Sequence, residues 1–141
     1  MTDQERQEIF AIEVRSMADL WKRHEKWSIA QFGERHSLLS LIHHIREKLD
    51  VLQAKPSDTD AALDVMTLAA DIALRGGATP YDVAQGLLNI QNRNILRDYP
   101  DAGSLPAGTP YHHIPTQGER IDAGELTKEQ AIEETERDRK S

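Results

Sequence analysis

Two aspartates, Asp64 and Asp71, lie inside the most apolar stretch of the chain, Ala61 to Leu74. Seven residues make nearly two full turns of a helix, so both carboxylates point to one side. Their neighbours are leucine, valine, isoleucine, methionine and alanine, which read as core. A carboxylate in such surroundings must be paired, bound to a metal or protonated, because an unpaired buried charge costs several kcal/mol. Glu47 and Asp50, three residues apart in the preceding segment, add two more acids. Facing Asp64 and Asp71 across a helix hairpin, they would make an oxygen-only site for Mg²⁺ or Mn²⁺. Such ions hold phosphates and activate water for phosphoanhydride cleavage. On the plainer reading, Glu47 and Asp50 only solvate the outer face of a helix.

The elements that must position these residues are all helical. Thr2 and Glu5 have capping-box spacing and open an N-terminal helix with Phe10, Val14, Met17 and Trp21 on one stripe. A second apolar group, Trp27, Ile29 and Phe32, ends at Gly33, as a separate short helix or as the end of one long helix with a break. Ser37 starts a helix with Leu38, Leu41, Ile42, Ile45, Leu49 and Leu52 on its apolar face. A turn at Lys55–Asp58 leads into the apolar helix, with Asp58, Thr59 or Asp60 as its cap. Gly76-Gly77 stops it after Arg75. Thr79-Pro80 opens a fourth helix that closes at Tyr99-Pro100.

Beyond Pro100 the composition turns polar and proline-rich. Asp101 to Pro115 reads as a loop or an arm wrapping a neighbour. Thr127 and Gln130 cap a charged helix through Arg139 that has too little apolar surface to fold alone. The expected organisation is therefore all-α, with an N-terminal helix over 1–26, a helical core over 27–101 and a polar arm over 102–141. That arm would either fray or dock on a neighbouring subunit of a homodimer or tetramer, the assembly expected where short helices leave apolar surface uncovered.

The 141 residues carry a net charge of -7, which argues against binding a nucleic-acid duplex. With no cysteine, disulfides and thiolate metal sites are excluded. No basic leader or long apolar run appears, so a cytoplasmic location away from membranes is expected. Phosphate-loop, dinucleotide and nucleophile-elbow motifs are missing.

Trp27-Ser28, Phe32-Gly33, His44-Ile45-Arg46, Pro56-Ser57-Asp58, Asp64-Val65, Leu68-Ala69, Asp71, Arg75, Gly77 and Thr79-Pro80 form an ordered series of short motifs. Gln91, Asn94, Arg97 and Pro100-Asp101 continue it. In this series the chain resembles the MazG-like all-α NTP pyrophosphohydrolases, in particular the phage and prophage dATP/dGTP branch. The likeness runs ungapped from Trp27 to Asp101. It implies a four-helix core, a dimer or tetramer, a purine deoxynucleotide ligand, and Mg²⁺-dependent cleavage to the monophosphate and pyrophosphate. His44, Lys48, Arg93, Asn94 and Arg97 become nucleotide-binding candidates, and Asp64, Asp71 and Glu47 metal ligands.

The family's metal site comprises two Glu three apart, then Glu-x-x-Asp. In the ungapped register the first pair falls on Lys48 and Val51 and the next Glu on Ala61, so only Asp64 of the four survives. Asp71 is also retained. The basic position before the family's Gln has become Ile90, and an acidic position after Asn94 has become Ile95. Lys48 would then stand in for the ion and pair with Asp64. A one-residue slip would bring Glu47 and Asp50 into place, at the cost of turning Leu41, Ile45, Leu49 and Leu52 off the core face.

Three readings follow. The chain binds a purine deoxynucleotide with weakened or lost catalysis and needs no cofactor. Or it is an active Mg²⁺- or Mn²⁺-dependent pyrophosphohydrolase that uses Glu47, Asp50 and Asp64 as catalytic residues. Or it is a non-catalytic interaction scaffold. Among the lesser candidates, His43 and His44 point about 100° apart on a helix and make no metal pair. His112-His113 sit in a surface loop. Arg93 and Arg97 hold phosphates or are simply solvated, and Trp27 and Phe32 stack a base or pack as core.

Overall fold

The computed structural model describes residues 1–140, and those residues form helices and loops without strands. In chain order the helices are α1 (Asp3–Phe32), α2 (Leu38–Ala54), α3 (Thr59–Arg75), α4 (Pro80–Leu96), α5 (Gln117–Asp122) and α6 (Lys128–Lys140). The all-α reading holds, with four long helices carrying the core. The N-terminal helix and the Trp27–Phe32 segment are one continuous helix, α1, without the expected break between them. Trp21 and Ser28, both buried and seven residues apart, keep this part of α1 on the bundle, so the local polar run does not interrupt it.

Local chemistry sets the helix ends. Thr2 and Glu5 close a reciprocal capping box. Ser37 caps α2, and the Asp58 carboxylate accepts the Ala61 N–H at 3.0 Å to start α3. At the other end of α3, Gly77 adopts φ 113, and the Gly77 and Ala78 N–H groups bond to the carbonyls of Leu74 and Ala73. This is a Schellman ending, which needs a residue that tolerates positive φ.

Thr79 and Asp82 cap α4 reciprocally, at 2.9 and 3.0 Å. The backbone N–H and then the hydroxyl of Thr79 hold the Asp82 carboxyl below its ordinary range. A lowered carboxylate pKa contributes stability above its unfolded value, about 3.9, and that contribution disappears as pH falls through the folded value. The Asp82 carboxyl resonance should therefore titrate at lower pH than an exposed aspartate. Thr79→Ala removes the hydroxyl but keeps the backbone N–H, so it should move the midpoint only part of the way back. An identical midpoint in both proteins would overturn the part played by the hydroxyl.

The chain divides into two compact units, one from Met1 to Gln91 and one from Asn92 onward. In the first, Val14, Ala18 and Trp21 of α1 meet Ala70 of α3 and Ala84 of α4 in a core of small side chains around one indole. The short Lys55–Asp58 turn folds α2 and α3 into a hairpin. The face of α2 toward α3 carries Leu41, Ile45, Lys48 and Leu52, all buried or half-buried, whereas Leu49 is 48% exposed. Leu49 thus leaves the expected stripe, because Lys48 takes the inward position one residue earlier.

The second unit has structure of its own. Thr116 caps α5, a helix the composition of this region concealed, and Thr127 with Gln130 caps α6. Arg120 and Glu134 pair at 3.1 Å between α5 and α6, over buried Leu126 and Ala131. His113 Nε2 lies 2.8 Å from Glu119 Oε2, and that bond holds the Glu119 carboxyl below its usual range. Among the described residues no helix is long and apolar enough to cross a membrane.

Candidate functional site

Asp64 and Asp71 line one cavity in the first unit, of about 360 Å³, between α1, α2 and α3. Their environments differ sharply. Asp71 is buried at 4% exposure, whereas the Asp64 side chain is 49% exposed. The C-terminal half of α3 is covered by α1 as well as α2. Nearer its start only α2 lies over Asp64, and the apolar neighbours Leu63 and Met66 are themselves exposed.

Asp71 is the centre of a polar network joining α3 to the end of α1. Ser28 Oγ donates to Asp71 Oδ2 at 2.9 Å, and Arg75 Nε reaches the same oxygen at 3.3 Å. Arg75 Nη2 donates to Ser28 Oγ at 2.7 Å, and Nη1 to the Gly33 carbonyl at 2.8 Å. Gly33 ends α1 at φ 79, a conformation that presents this carbonyl without the strain a side chain would bring. His24 Nε2, buried and without a hydrogen-bond partner among the described residues, stands 3.6 Å from Asp71 Oδ1. All three guanidinium nitrogens are therefore occupied, and the planar fork suits this geometry better than an ammonium would. Sequence reasoning gave Ser28 no role. The spacing of Arg75 four residues after Asp71 was the available signal.

Asp64 is paired differently. Lys48 Nζ crosses from α2 to within 3.0 Å of Asp64 Oδ2, the pairing expected from the sequence. Being partly exposed, the pair adds at most about 1 kcal/mol to stability. Its importance is chemical, since it fills the space in front of the carboxylate with positive charge. Ala61, one turn before Asp64, is buried, and Val51 is 44% exposed.

The other acids do not join them. Glu47 and Asp50 are exposed on α2, because Glu47 is turned about 100° and Asp50 about 200° around the helix from Lys48. The register slip that would have made them ligands is not adopted. Among the described residues no three His, Asp or Glu side chains gather where they could hold a metal ion, so Glu47, Asp64 and Asp71 form no ligand set. A divalent cation of the Mg²⁺ class wants several hard oxygens in near-octahedral array. Here one carboxylate faces an ammonium, a second is bound to arginine and serine, and the rest point to solvent. This donor set does not fit the ion.

The remaining wall of the cavity is aromatic. His24, Trp27, Phe32 and His36 follow one another with ring centroids 5.7, 5.6 and 5.2 Å apart, the last pair stacked. Trp27 and Phe32 are half exposed, so they form a surface and not the core of a bundle. His44 lines the cavity from α2, with Ser40 and Thr67 as further hydroxyls. Arg93, Asn94 and Arg97 fall in the second unit, Arg93 exposed and the other two half-buried. Ile90, in the first unit, lines a separate apolar groove of about 410 Å³ with Met66 and Leu87.

A helical bundle with polar side chains turned into an aromatic-walled cavity is the architecture of all-α proteins that hold a small molecule between helices. The family model for dATP/dGTP pyrophosphohydrolase matches residues 20–120, more than two thirds of the chain. The chain belongs to that family. The match extends the likeness read from Trp27 to Asp101 at both ends, and it is consistent with the MazG-like superfamily. No curated protein and no solved structure gives a significant match.

Proposed function

We propose that this family member binds a purine deoxynucleotide in the α1–α2–α3 cavity and has weakened or lost the metal-dependent hydrolysis. The observation that carries the reading is the Lys48 ammonium 3.0 Å from Asp64, the one acid retained from the family's four. A cation already in contact with that carboxylate competes with any metal for it, and Val51 and Ala61 offer no replacement oxygen. The aromatic wall and the cavity volume support a ligand with a flat base. The exposed Ile9, Ile12 and Leu20 of α1 support assembly as a homodimer or tetramer.

Calorimetry with dGTP and then dATP, with and without Mg²⁺, tests the reading. Heats that saturate and return to baseline are expected. A sustained displacement of the baseline that needs Mg²⁺ would mean turnover and overturn it, and the absence of heat with either nucleotide would overturn it too.

A further inference from the structure

We infer that the cavity selects a purine nucleoside carrying at most one phosphate over the nucleoside triphosphate, and that Lys48 is its phosphate contact. This rests on the proposed nucleotide binding and adds the class of ligand. A phosphate monoester carries about -1.5 to -2 charge at neutral pH, and a triphosphate adds two more ionised phosphates. In a metal-dependent enzyme the cation offsets that charge. In this cavity the donor set does not fit the cation, so side chains must do so instead.

Of the residues lining the cavity, Lys48 alone carries a permanent positive charge. Its side chain is 31% exposed, and an ammonium has three hydrogens, of which Asp64 takes one. One phosphate can therefore be met by the remaining two. A second and third phosphate would face the half-exposed Asp64 carboxylate without a counter-charge from the lining. Arg75 lies outside the lining, its side chain is only 8% exposed, and each of its nitrogens already donates, to Asp71, Ser28 or Gly33. The aromatic run from Trp27 through Phe32 to His36 supplies affinity that does not depend on phosphate number, because stacking acts on the base.

The test is equilibrium binding of deoxyguanosine, dGMP and dGTP to the full chain in EDTA, then of dGTP with Mg²⁺. Quenching of tryptophan fluorescence is the readout. The chain has two tryptophans, and Trp27, the exposed one, lines the cavity. Binding of dGMP should be at least about tenfold tighter than of dGTP, a difference of 1.4 kcal/mol. Added Mg²⁺ should leave dGTP binding weaker than dGMP binding. Lys48→Gln should reduce the affinity for dGMP to that for deoxyguanosine and leave the nucleoside unaffected, while Trp27→Phe should abolish most of the quenching.

Tighter binding of dGTP than of dGMP, with or without Mg²⁺, would overturn the inference and leave nucleotide binding standing. Equal effects of Lys48→Gln on nucleoside and monophosphate would overturn the role of Lys48. If none of the ligands binds, as judged by calorimetry alongside fluorescence, both the inference and the reading beneath it fail.

Discussion

Asp71→Ala and Arg75→Ala should each destabilise the first unit by about 3–5 kcal/mol, the cost of leaving one member of a buried ion pair without its partner. Both side chains are less than 10% exposed, so water cannot take over the lost contacts. Removing Asp71 strands a guanidinium against Ser28 and the end of α1. Removing Arg75 strands a carboxylate whose other donor, the Ser28 hydroxyl, is itself oriented by Arg75. Thermal denaturation should record a fall in Tm of at least about 12 °C, at roughly 4 °C per kcal/mol or more for a unit of this size.

Arg75→Lys should recover only part of the loss, because one ammonium cannot reach Asp71, Ser28 and Gly33 in the same plane. Asp71→Leu combined with Arg75→Met should cost much less than either alanine change, since buried pairs replaced by apolar groups often lose little. Losses below about 1 kcal/mol in both alanine variants, the size typical of a solvated pair, would show that the network does not hold α1 to α3. Because Trp27 and Phe32 lie on the end of α1 that this network anchors, the same variants should bind any stacking ligand more weakly.

Restoring carboxylates should restore metal binding. Lys48→Glu together with Ala61→Glu places two acids beside Asp64, one across the hairpin and one a turn earlier on α3. The affinity for Mn²⁺ or Mg²⁺ should rise at least about tenfold over the parent chain, or 1.4 kcal/mol. Lys48→Glu alone converts an attractive 3.0 Å contact into two facing carboxylates. Like charges so close resist joint ionisation, so this variant should melt lower than the parent without metal. Added Mn²⁺ should raise its Tm, by about 2.7 kcal/mol of stabilisation at one hundred times Kd.

The single variant matters because Ala61 is buried and a glutamate there must turn toward Asp64 to be accommodated. Equal Mn²⁺ responses in the parent and in both variants would mean that Lys48 is not what excludes the ion. A parent chain that already binds Mn²⁺ as tightly as the double variant would favour the active-enzyme reading.

Helix positions were legible in the sequence wherever the signal was local. Ser37, Asp58, the Gly76-Gly77 pair and Thr79-Pro80 each act within four residues, through a side chain meeting a nearby N–H or a glycine taking positive φ. Thr116 and Glu119 have the same capping spacing at the start of α5, but its six residues are too few to show an apolar period. The pairing of Lys48 with Asp64 was legible as well, because the short turn at Pro56 brings those two residues opposite each other in an antiparallel hairpin.

What the sequence determined by itself was the all-α class and the caps of α2, α3 and α4. Only the tertiary structure decided which retained aspartate is structural. Asp64 and Asp71 share one face of one helix and similar neighbours, so periodicity cannot separate them. Burial depends on what covers that face, and α1 reaches Asp71 from more than forty residues away in sequence, with Ser28 as the contact. Desolvation is a non-local property, which is why one acid became a buried anchor and the other a half-exposed partner of lysine.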